Sequence, residues 1–289
     1  MTTPQLPAGC TFDQMAFDEL PMLAGWAAEE GWNPGVGDLD VAWALDPDAF
    51  IALRRDDELV GGGTVLSYDG AMGFMGLFIV RPDHRGQGLG TVLWQHRVEL
   101  LTARLQPGAT IGMDGVFDMV PFYEHGGFQL AYRDLRFEGS APGSPGSDVV
   151  DATTVPFEQV AAFDAAHLGV DRSAFLSAWT QRPGVRSFAV GGDSGLAGYA
   201  VLRPCAVGFK TGPFLARSPE VAEQLLGAVL EAAAGSQLQV DVPEPNSSGV
   251  RMLQSLGFTE SFGCARMYRG AEPKVPVDQV YGVTSFEFG

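Results

Sequence analysis

The sequence is poor in the residues on which several common kinds of site depend. Its three cysteines, Cys10, Cys205 and Cys264, are widely spaced, and no Cys-x-x-Cys pair occurs. This pattern argues against a disulfide framework and against a zinc site, and it favours the cytosol as the compartment. The four histidines show no His-x-x-x-His spacing, and no Gly-x-Ser-x-Gly sequence is present. We therefore expect neither a metal site nor a serine nucleophile of the hydrolase type.

Long apolar runs and positive charge are also scarce. No stretch of about 18 apolar residues occurs and the first residues do not resemble a signal peptide, so we expect a cytoplasmic protein without a membrane partner. The net charge is −17, from 35 acidic and 18 basic residues. Because such a surface repels phosphate backbones, nucleic acid is not an expected partner. The acidity attracts cationic amines, but it also serves solubility, and the oligomeric state is not predicted.

The length and the placement of small residues indicate two domains. A chain of 289 residues is longer than one core of ordinary size requires. Residues 139–147 contain only glycine, proline and serine apart from Ala141, which is a composition typical of linkers. We predict a first domain over residues 1–138, a linker over 139–147 and a second domain over 148–289.

The two halves resemble each other. Gly127-Phe128 is followed eight residues later by Arg136, and Gly257-Phe258 is followed eight residues later by Arg266. In both halves, three strand-like runs precede a helix and a further strand. The pattern predicts an α/β fold, of the mixed α+β kind, in which each domain has a mixed, mostly antiparallel sheet flanked by helices. Before the first strands, residues 11–30 are predicted to form an amphipathic helix.

A glycine-rich turn joins a strand to a helix in the first half. The apolar run 72–80 is followed by Arg81-Pro82-Asp83-His84-Arg85-Gly86-Gln87-Gly88-Leu89-Gly90, and helical spacing begins at once after it. Glycines leave the backbone amides open, and those amides together with a helix N-terminus form an anion site. Thr91 stands where a dinucleotide fingerprint requires glycine, and no Gly-Lys-Ser/Thr sequence follows, so neither the Rossmann motif nor the P-loop is present.

The spacing Arg85-x-x-Gly88-x-Gly90 after a strand resembles the pyrophosphate motif of the GNAT superfamily of acyl-CoA N-acyltransferases. The resemblance implies two GNAT-like domains and acetyl-CoA as the co-substrate, without a metal. It also implies that the backbone of Phe78, Ile79 and Val80 binds the acyl carbonyl and the pantetheine arm. The diphosphate is then expected on a loop that we call the cradle, which consists of Arg85, Gly86, Gln87, Gly88, Leu89, Gly90 and Thr91. The alternative is a glycine turn that only closes a strand–helix unit.

A second resemblance concerns the catalytic groups. In Tyr123-Glu124-His125-Gly126-Gly127-Phe128 a tyrosine precedes Gly-Phe, as in the second GNAT signature, which implies that Tyr123 protonates the departing coenzyme A thiolate. The alternative is a core tyrosine with a locally bonded hydroxyl. Many relatives carry a glutamate base on the strand that corresponds to residues 72–80, but none occurs here. Asp114, at the end of the next strand, is the candidate base or ammonium clamp, and a structural aspartate is the alternative.

The acceptor side is less defined. By resemblance, the segment between the first two helices borders the acceptor pocket, which makes Trp32, Asn33 and Asp38 substrate candidates. As alternatives, Trp32 is a core anchor and Asp38 a helix cap. The second half has no glycine cradle and carries Leu253 where the first has Tyr123, so we expect it to be degenerate and to form one wall of the pocket.

The resemblance implies an N-acetyltransferase that acts on the primary amine of a small molecule or peptide by direct attack, with cationic amines favoured by the charge of the protein. A non-catalytic acyl-CoA sensor is the alternative from another class. An O-acyltransferase or a longer acyl donor also stays open, and the sequence does not identify the acceptor.

Overall fold

The structure is a computed structural model, and it describes residues 6–143, 149–192 and 195–289. In the first half the helices are α1 Leu20–Glu29, α2 Asp38–Leu45, α3 Leu89–Ala103 and α4 Val120–His125, and the strands are β1 Cys10–Gln14, β2 Phe50–Arg55, β3 Glu58–Tyr68, β4 Met72–Val80, β5 Thr110–Gly115 and β6 Gln129–Ser140. In the second half the helices are α5 Phe157–Leu168, α6 Ser173–Gln181, α7 Pro219–Ala232 and α8 Ser247–Ser255, and the strands are β7 Val150–Asp151, β8 Arg186–Gly192, β9 Gly195–Pro204, β10 Phe209–Ala216, β11 Gln237–Pro243, β12 Thr259–Arg269 and β13 Val280–Gly282. None of the helices in these described ranges is long and apolar enough to cross a membrane.

The prediction of one helix over residues 11–30 is wrong in its first part. Residues 10–14 form strand β1, which pairs antiparallel with β2, and the helix α1 begins only at Leu20. The apolar residues Phe12 and Met15 are three positions apart, which is a spacing that suits a helix and led to the prediction. In the structure, pairing with β2 at the edge of the sheet satisfies the backbone hydrogen bonds of this segment. Pro21 stands in the first turn of α1, where a missing N–H costs little.

The described strands form one continuous sheet of thirteen strands. Its order is β1-β2-β3-β4-β5-β12-β6-β11-β10-β9-β8-β7, and β13 pairs with β10. The β4–β5 and β10–β11 pairs are parallel, and the other pairs are antiparallel. The predicted fold class, a mixed and mostly antiparallel sheet flanked by helices in each half, is confirmed.

The halves exchange their last long strands. β12 of the second half lies against β5 of the first, and β6 of the first half lies against β11 of the second, while β6 and β12 pair with each other at the centre. Of the predicted linker, residues 139 and 140 belong to β6, and residues 144–147 lie outside the described residues. The predicted domain limits stay a prediction, because the sheet runs across them without a break.

A buried ion pair marks each of the two exchanged contacts. Arg266 on β12 donates to both oxygens of Asp114 on β5 at 2.6 and 2.7 Å. Arg136 on β6 donates to both oxygens of Asp241 on β11 at 2.6 and 2.8 Å. All four side chains are buried, so the charges are compensated by partners from the opposite half.

Asp38 forms a further buried contact between the halves. Arg203 of β9 donates to its Oδ2 at 3.0 Å, Arg182 contacts its Oδ1, and the amide of Gly35 donates to it at 3.2 Å. Burial raises the pKa of the Asp38 carboxyl, but the two arginines outweigh burial, and the pKa lies below its ordinary value. The stabilisation is therefore present above the ordinary aspartate pKa and is lost as the pH falls through the lowered folded value.

Replacing Asp38 by asparagine is expected to lower the free energy of unfolding by about 3–5 kcal/mol, because two buried guanidinium groups lose their counter-charge. Urea unfolding followed by circular dichroism measures this change. The control is Glu244→Gln, which breaks an ion pair with Arg133 whose side chains are 47% and 43% exposed, and which is expected to cost at most about 1 kcal/mol. Equal losses in the two variants would contradict the role of Asp38 as a buried link.

Residues 283–289 return from the second half to pack against the first. Tyr68 of β3 donates to the carbonyl oxygen of Phe288 at 2.6 Å, and Arg172 donates to that of Gly289 at 3.1 Å. All seven residues are buried. We call these residues the return segment; it is held by side chains from both halves.

Candidate active site

The cavity of interest opens where β4 and β5 separate. These strands are paired from Met72↔Thr110 to Met75↔Met113, and the pairing ends there. Leu77 has φ +53°, and the register between β3 and β4 shifts at the same place. After the bulge, one edge of β4 stays paired with β3, and the other edge faces a cleft instead of β5. This cleft is part of a cavity of about 350 Å³.

The structure brings most of the predicted site residues to this cavity. Those that line it are Trp32, Phe78, Ile79, Val80, Arg85, Gly90, Asp114 and Tyr123. The middle of the cradle, residues 86–89, forms the turn between two of these lining residues, Arg85 and Gly90. The wall continues inward along one face of α3 for about 10 Å, and this face carries Gly90, Trp94 and Arg97.

The cradle has the backbone that its glycines predict. Gly86 and Gly88 have φ +74° and +79°, a region in which glycine has no steric penalty, and Gly88 caps the N-terminus of α3. No atom lies within 4 Å of the position that a Cβ would take at either residue. Arg85 donates to the carbonyl oxygen of Val80 at 2.8 Å and pairs with Glu30. The loop therefore offers open space next to the amides of a helix N-terminus, which suits a diphosphate.

Tyr123 lies deeper in the cavity, inside an aromatic cluster. Its ring centroid is 5.0 Å from that of Trp94 and 5.7 Å from that of Phe122, and only 4% of the residue is exposed. Burial raises its pKa to about 12, against the opposing effect of nearby Arg97. Within the described residues its hydroxyl has no hydrogen-bond partner, so it is free to donate to a ligand.

Arg97 is a buried cation that the sequence did not single out. It donates from Nη2 to the carbonyl oxygens of Thr64 and Gly76 at 2.7 and 2.6 Å, and it is fully buried. Among the described residues its Nε and Nη1 atoms have no partner. Burial lowers its pKa to about 9. The bond to Gly76, next to Leu77, holds the bulge that opens the cleft.

Asp114 lines the cavity, but both of its oxygens accept hydrogen bonds from Arg266. Burial raises the pKa of Asp114, and the guanidinium opposes that change. Asp134 lies 3.5 Å from the same guanidinium, and burial raises its pKa well above the ordinary value. One cation thus faces two buried carboxyls, and the pKa of Asp134 is raised because burial and the neighbouring Asp114 both disfavour its charge. The bidentate contact fits the structural alternative for Asp114, and its catalytic role stays a prediction.

Two predicted substrate residues do not line the cavity. Asn33 donates to the carbonyl oxygen of Val207 at 3.0 Å and accepts from the amide of Val207 at 3.1 Å, which ties the loop after α1 to the second half. Asp38 is enclosed by its two arginines, as described above. Trp32 is the member of the predicted group that lines the cavity.

Several lining residues come from parts of the chain that the sequence did not connect with the site. Phe262 and Cys264 reach it on the exchanged strand β12, and Phe286 and Glu287 reach it on the return segment. The local pattern of apolar and polar residues does not predict that these four residues reach the site. For Trp94 and Arg97 a signal was present, since they follow Gly90 at positions i+4 and i+7 of the motif helix.

The equivalent place in the second half is filled. β10 and β11 are parallel from Phe209↔Leu238 to Thr211↔Val240, and β13 then pairs with β10 at Phe214. The amide of Val283, just after β13, donates to the carbonyl oxygen of Asp241 on β11 at 2.8 Å. The gap between the two strands is thus closed by the chain itself. At the start of α7 the hydroxyl of Ser218 takes the place of a ligand by accepting from the amide of Val221.

Comparisons with known proteins match each half of the chain to a GNAT family model. The model of the Acetyltransferase (GNAT) family matches residues 17–128, and that of an Acetyltransferase (GNAT) domain matches residues 160–282. A curated relative, Holothin acyltransferase of Pseudoalteromonas sp. (strain SANK 73390), is 27% identical over 95% of this chain and 92% of its own length. Uncharacterized N-acetyltransferase YitH of Bacillus subtilis is 24% identical over 80% of this chain and 81% of its own.

Solved structures share the fold. A Pyrococcus horikoshii protein assigned as an acetyltransferase superposes with a TM-score of 0.84 at 23% identity, over 100% of this chain and 99% of its own. A tandem GNAT protein from the clavulanic acid biosynthesis pathway superposes with a TM-score of 0.62 at 18% identity, over 92% of this chain and 99% of its own. With one family match over each half, the chain belongs to the GNAT family of acyltransferases and carries two GNAT domains in tandem.

Proposed function

We propose that the chain transfers an acetyl group from acetyl-CoA to the primary amine of a small molecule or peptide, in the cleft of the first half. The observation that carries the proposal is the alignment of three features along one cavity. The cradle lies at its mouth, the part of β4 that has separated from β5 forms its wall, and Tyr123 lies inside it. The order matches the order of diphosphate, pantetheine arm and thioester in acetyl-CoA.

Each feature has a role in this proposal. The amides at the start of α3 hold the diphosphate, and the backbone of residues 78–80 donates from its edge away from β3 to the pantetheine arm and to the acyl carbonyl oxygen. Acetyl-CoA supplies the activated acyl group, whose carbon forms a bond to the amine nitrogen as its bond to sulfur breaks. Aromatic side chains around Tyr123 keep water from this point.

Tyr123 donates a hydrogen bond to the departing sulfur. With its pKa at about 12 and that of an ordinary thiol at about 8.5, complete proton transfer would cost roughly 5 kcal/mol. A hydrogen bond to the thiolate requires no such transfer and still lowers the energy of the developing charge. The phenol keeps its proton at every pH below about 12, so this donor does not titrate in the neutral range.

The proposal is tested by thiol release. The protein, acetyl-CoA and a panel of amines are mixed, and free coenzyme A is measured with a thiol reagent, while calorimetry measures acetyl-CoA binding separately. We expect binding and amine-dependent release with at least one member of the panel. Because one relative is named Holothin acyltransferase and another Uncharacterized N-acetyltransferase, the panel includes holothin beside amino acids, polyamines and peptides. Binding without release for every amine would instead indicate an acyl-CoA sensor.

A further inference from the structure

The return segment brings a carboxylate into the cavity of the first half. Glu287 lines this cavity, and its backbone lies directly against β4: a Cβ added to Gly76 would come within 2.2 Å of its carbonyl oxygen. Gly76 immediately precedes Leu77, the residue with positive φ in the bulge. Glu287 is therefore next to the point where β4 and β5 separate, and the glycine is what allows so close an approach.

Glu287 differs from the other two acids of the cavity. Glu30 pairs with Arg85, and Asp114 is held by Arg266. In the part of the chain that the structure describes, the Glu287 carboxylate accepts no hydrogen bond and forms no ion pair. A carboxylate in a residue that is only 4% exposed is costly unless a cation or a donor compensates it. Buried Arg136, Arg203 and Lys210 act on it as cations without contacting it, because each donates its hydrogen bonds to other groups. The missing hydrogen-bond donor is expected from a ligand.

The backbone of Glu287 is held in place before any ligand binds. The hydroxyl of Ser285 accepts from the amides of Glu287 and Phe288 at 3.3 and 3.1 Å. Tyr68 and Arg172 hold the carbonyl groups on the following residues, as described above. A backbone supported in this way loses little conformational freedom when a ligand binds to the side chain that it carries.

Glu287 shares its part of the cavity with aromatic side chains, and the guanidinium of Arg136 lies over two of their rings, those of Phe262 and Phe286, at 5.3 and 5.0 Å. Trp32, Phe262 and Phe286 line the same cavity, and the rings of Phe262 and Phe286 lie 6.0 Å apart. These residues come from the loop after α1, from β12 and from the return segment, whereas Tyr123 and the cradle come from elements of the first half alone. The cavity thus joins a region that the second half helps to build to the proposed acyl-donor region.

We propose that Glu287 binds the ammonium group of the acceptor and takes the proton that the amine must lose, and that the acceptor is a compact, flat or apolar primary monoamine. The inference rests on the proposed function and adds the acceptor class to it. One carboxylate compensates one ammonium, while a second cation of a polyamine would be buried among aromatic side chains without a partner. The Glu287 carboxylate first takes one proton from the bound ammonium and passes it to water, which leaves a neutral amine. The amine nitrogen then attacks the acyl carbon as the bond from that carbon to sulfur breaks. The second proton that the nitrogen loses passes by the same carboxylate to water and balances the released thiolate.

The variant Glu287→Gln keeps the shape of the side chain and removes its charge. We expect kcat/KM for 2-phenylethylamine to fall by about 10- to 100-fold, which corresponds to the loss of one hydrogen bond to a charged group. With hydroxylamine, which is largely uncharged at neutral pH, the rate is expected to change less than about threefold, because no ammonium has to be bound or deprotonated. Glu287→Asp is expected to recover part of the loss with 2-phenylethylamine.

The outcomes separate this inference from the proposed function. Equal losses with 2-phenylethylamine and hydroxylamine in Glu287→Gln would show a merely structural role and overturn the proposal. So would an unchanged rate with both amines, or a wild-type kcat/KM for spermidine equal to or above that for 2-phenylethylamine. Calorimetry with acetyl-CoA is run on each variant, and absence of binding to the wild type would count against the proposed function itself.

Discussion

Replacement of Gly88 by leucine is expected to weaken acetyl-CoA binding by at least about 100-fold in calorimetry. Gly88 has φ +79° and no atom within 4 Å of its Cβ position. A leucine there would force the backbone out of the left-handed region or place its side chain where the diphosphate is expected. Loss of two charge-assisted hydrogen bonds, at about 1.5–3 kcal/mol each, accounts for a change of this size.

The matched control for this prediction is Gly108→Leu. Gly108 has φ +85° in the turn before β5, and no atom lies within 4 Å of its Cβ position either. The two substitutions therefore cause similar backbone strain, but the control is expected to leave acetyl-CoA binding unchanged. Retained binding in Gly88→Leu would show that the diphosphate lies elsewhere.

The second large effect is expected at Tyr123. The variant Tyr123→Phe keeps the ring inside its aromatic cluster and removes the hydroxyl, which has no partner among the described residues. We expect kcat to fall by about 100- to 1000-fold, as for the loss of one donor to a developing anion, while the Kd for acetyl-CoA stays within about twofold. Steady-state kinetics and calorimetry measure the two quantities.

Tyr281→Phe provides the comparison. Tyr281 is also buried but lies in the second half on β13, and its replacement is expected to leave kcat unchanged. Because the pKa of Tyr123 lies at about 12, the wild type is expected to show no decline in rate from this group on the alkaline side below that pH. A Tyr123→Phe variant with full turnover would remove the hydroxyl from the mechanism.

The donor side of the site could be predicted from the sequence because its parts are local. The strand over 72–80, the turn and the helix that follows are consecutive, and glycine at positions 86 and 88 reports the backbone directly. Tyr123 belongs to a similarly short signature, and the structure brings it to the same cavity as Phe78 and Gly90. Its catalytic role and the binding role of the cradle stay predictions.

The acceptor side could not be predicted, because tertiary contacts decide it. Trp32, Asn33 and Asp38 are close in sequence, yet only Trp32 lines the cavity, since ion pairs and hydrogen bonds turn the other two toward the second half. Glu287 reaches Gly76 across more than two hundred residues. The exchange of β6 and β12 could not be predicted either. The alternation of apolar and polar residues along a strand is compatible with pairing to a strand of either half.

The exchange of strands also affects the stability that each half would have on its own. If either half were produced alone, it would lack the strand that completes its sheet and would expose an open edge with its unpaired amides and carbonyl groups. A lone first half would also lack the return segment, and with it one wall of its own cleft. The half without a cradle therefore completes the sheet of the other half and supplies one wall of its cleft, and we expect the two halves to unfold in a single transition.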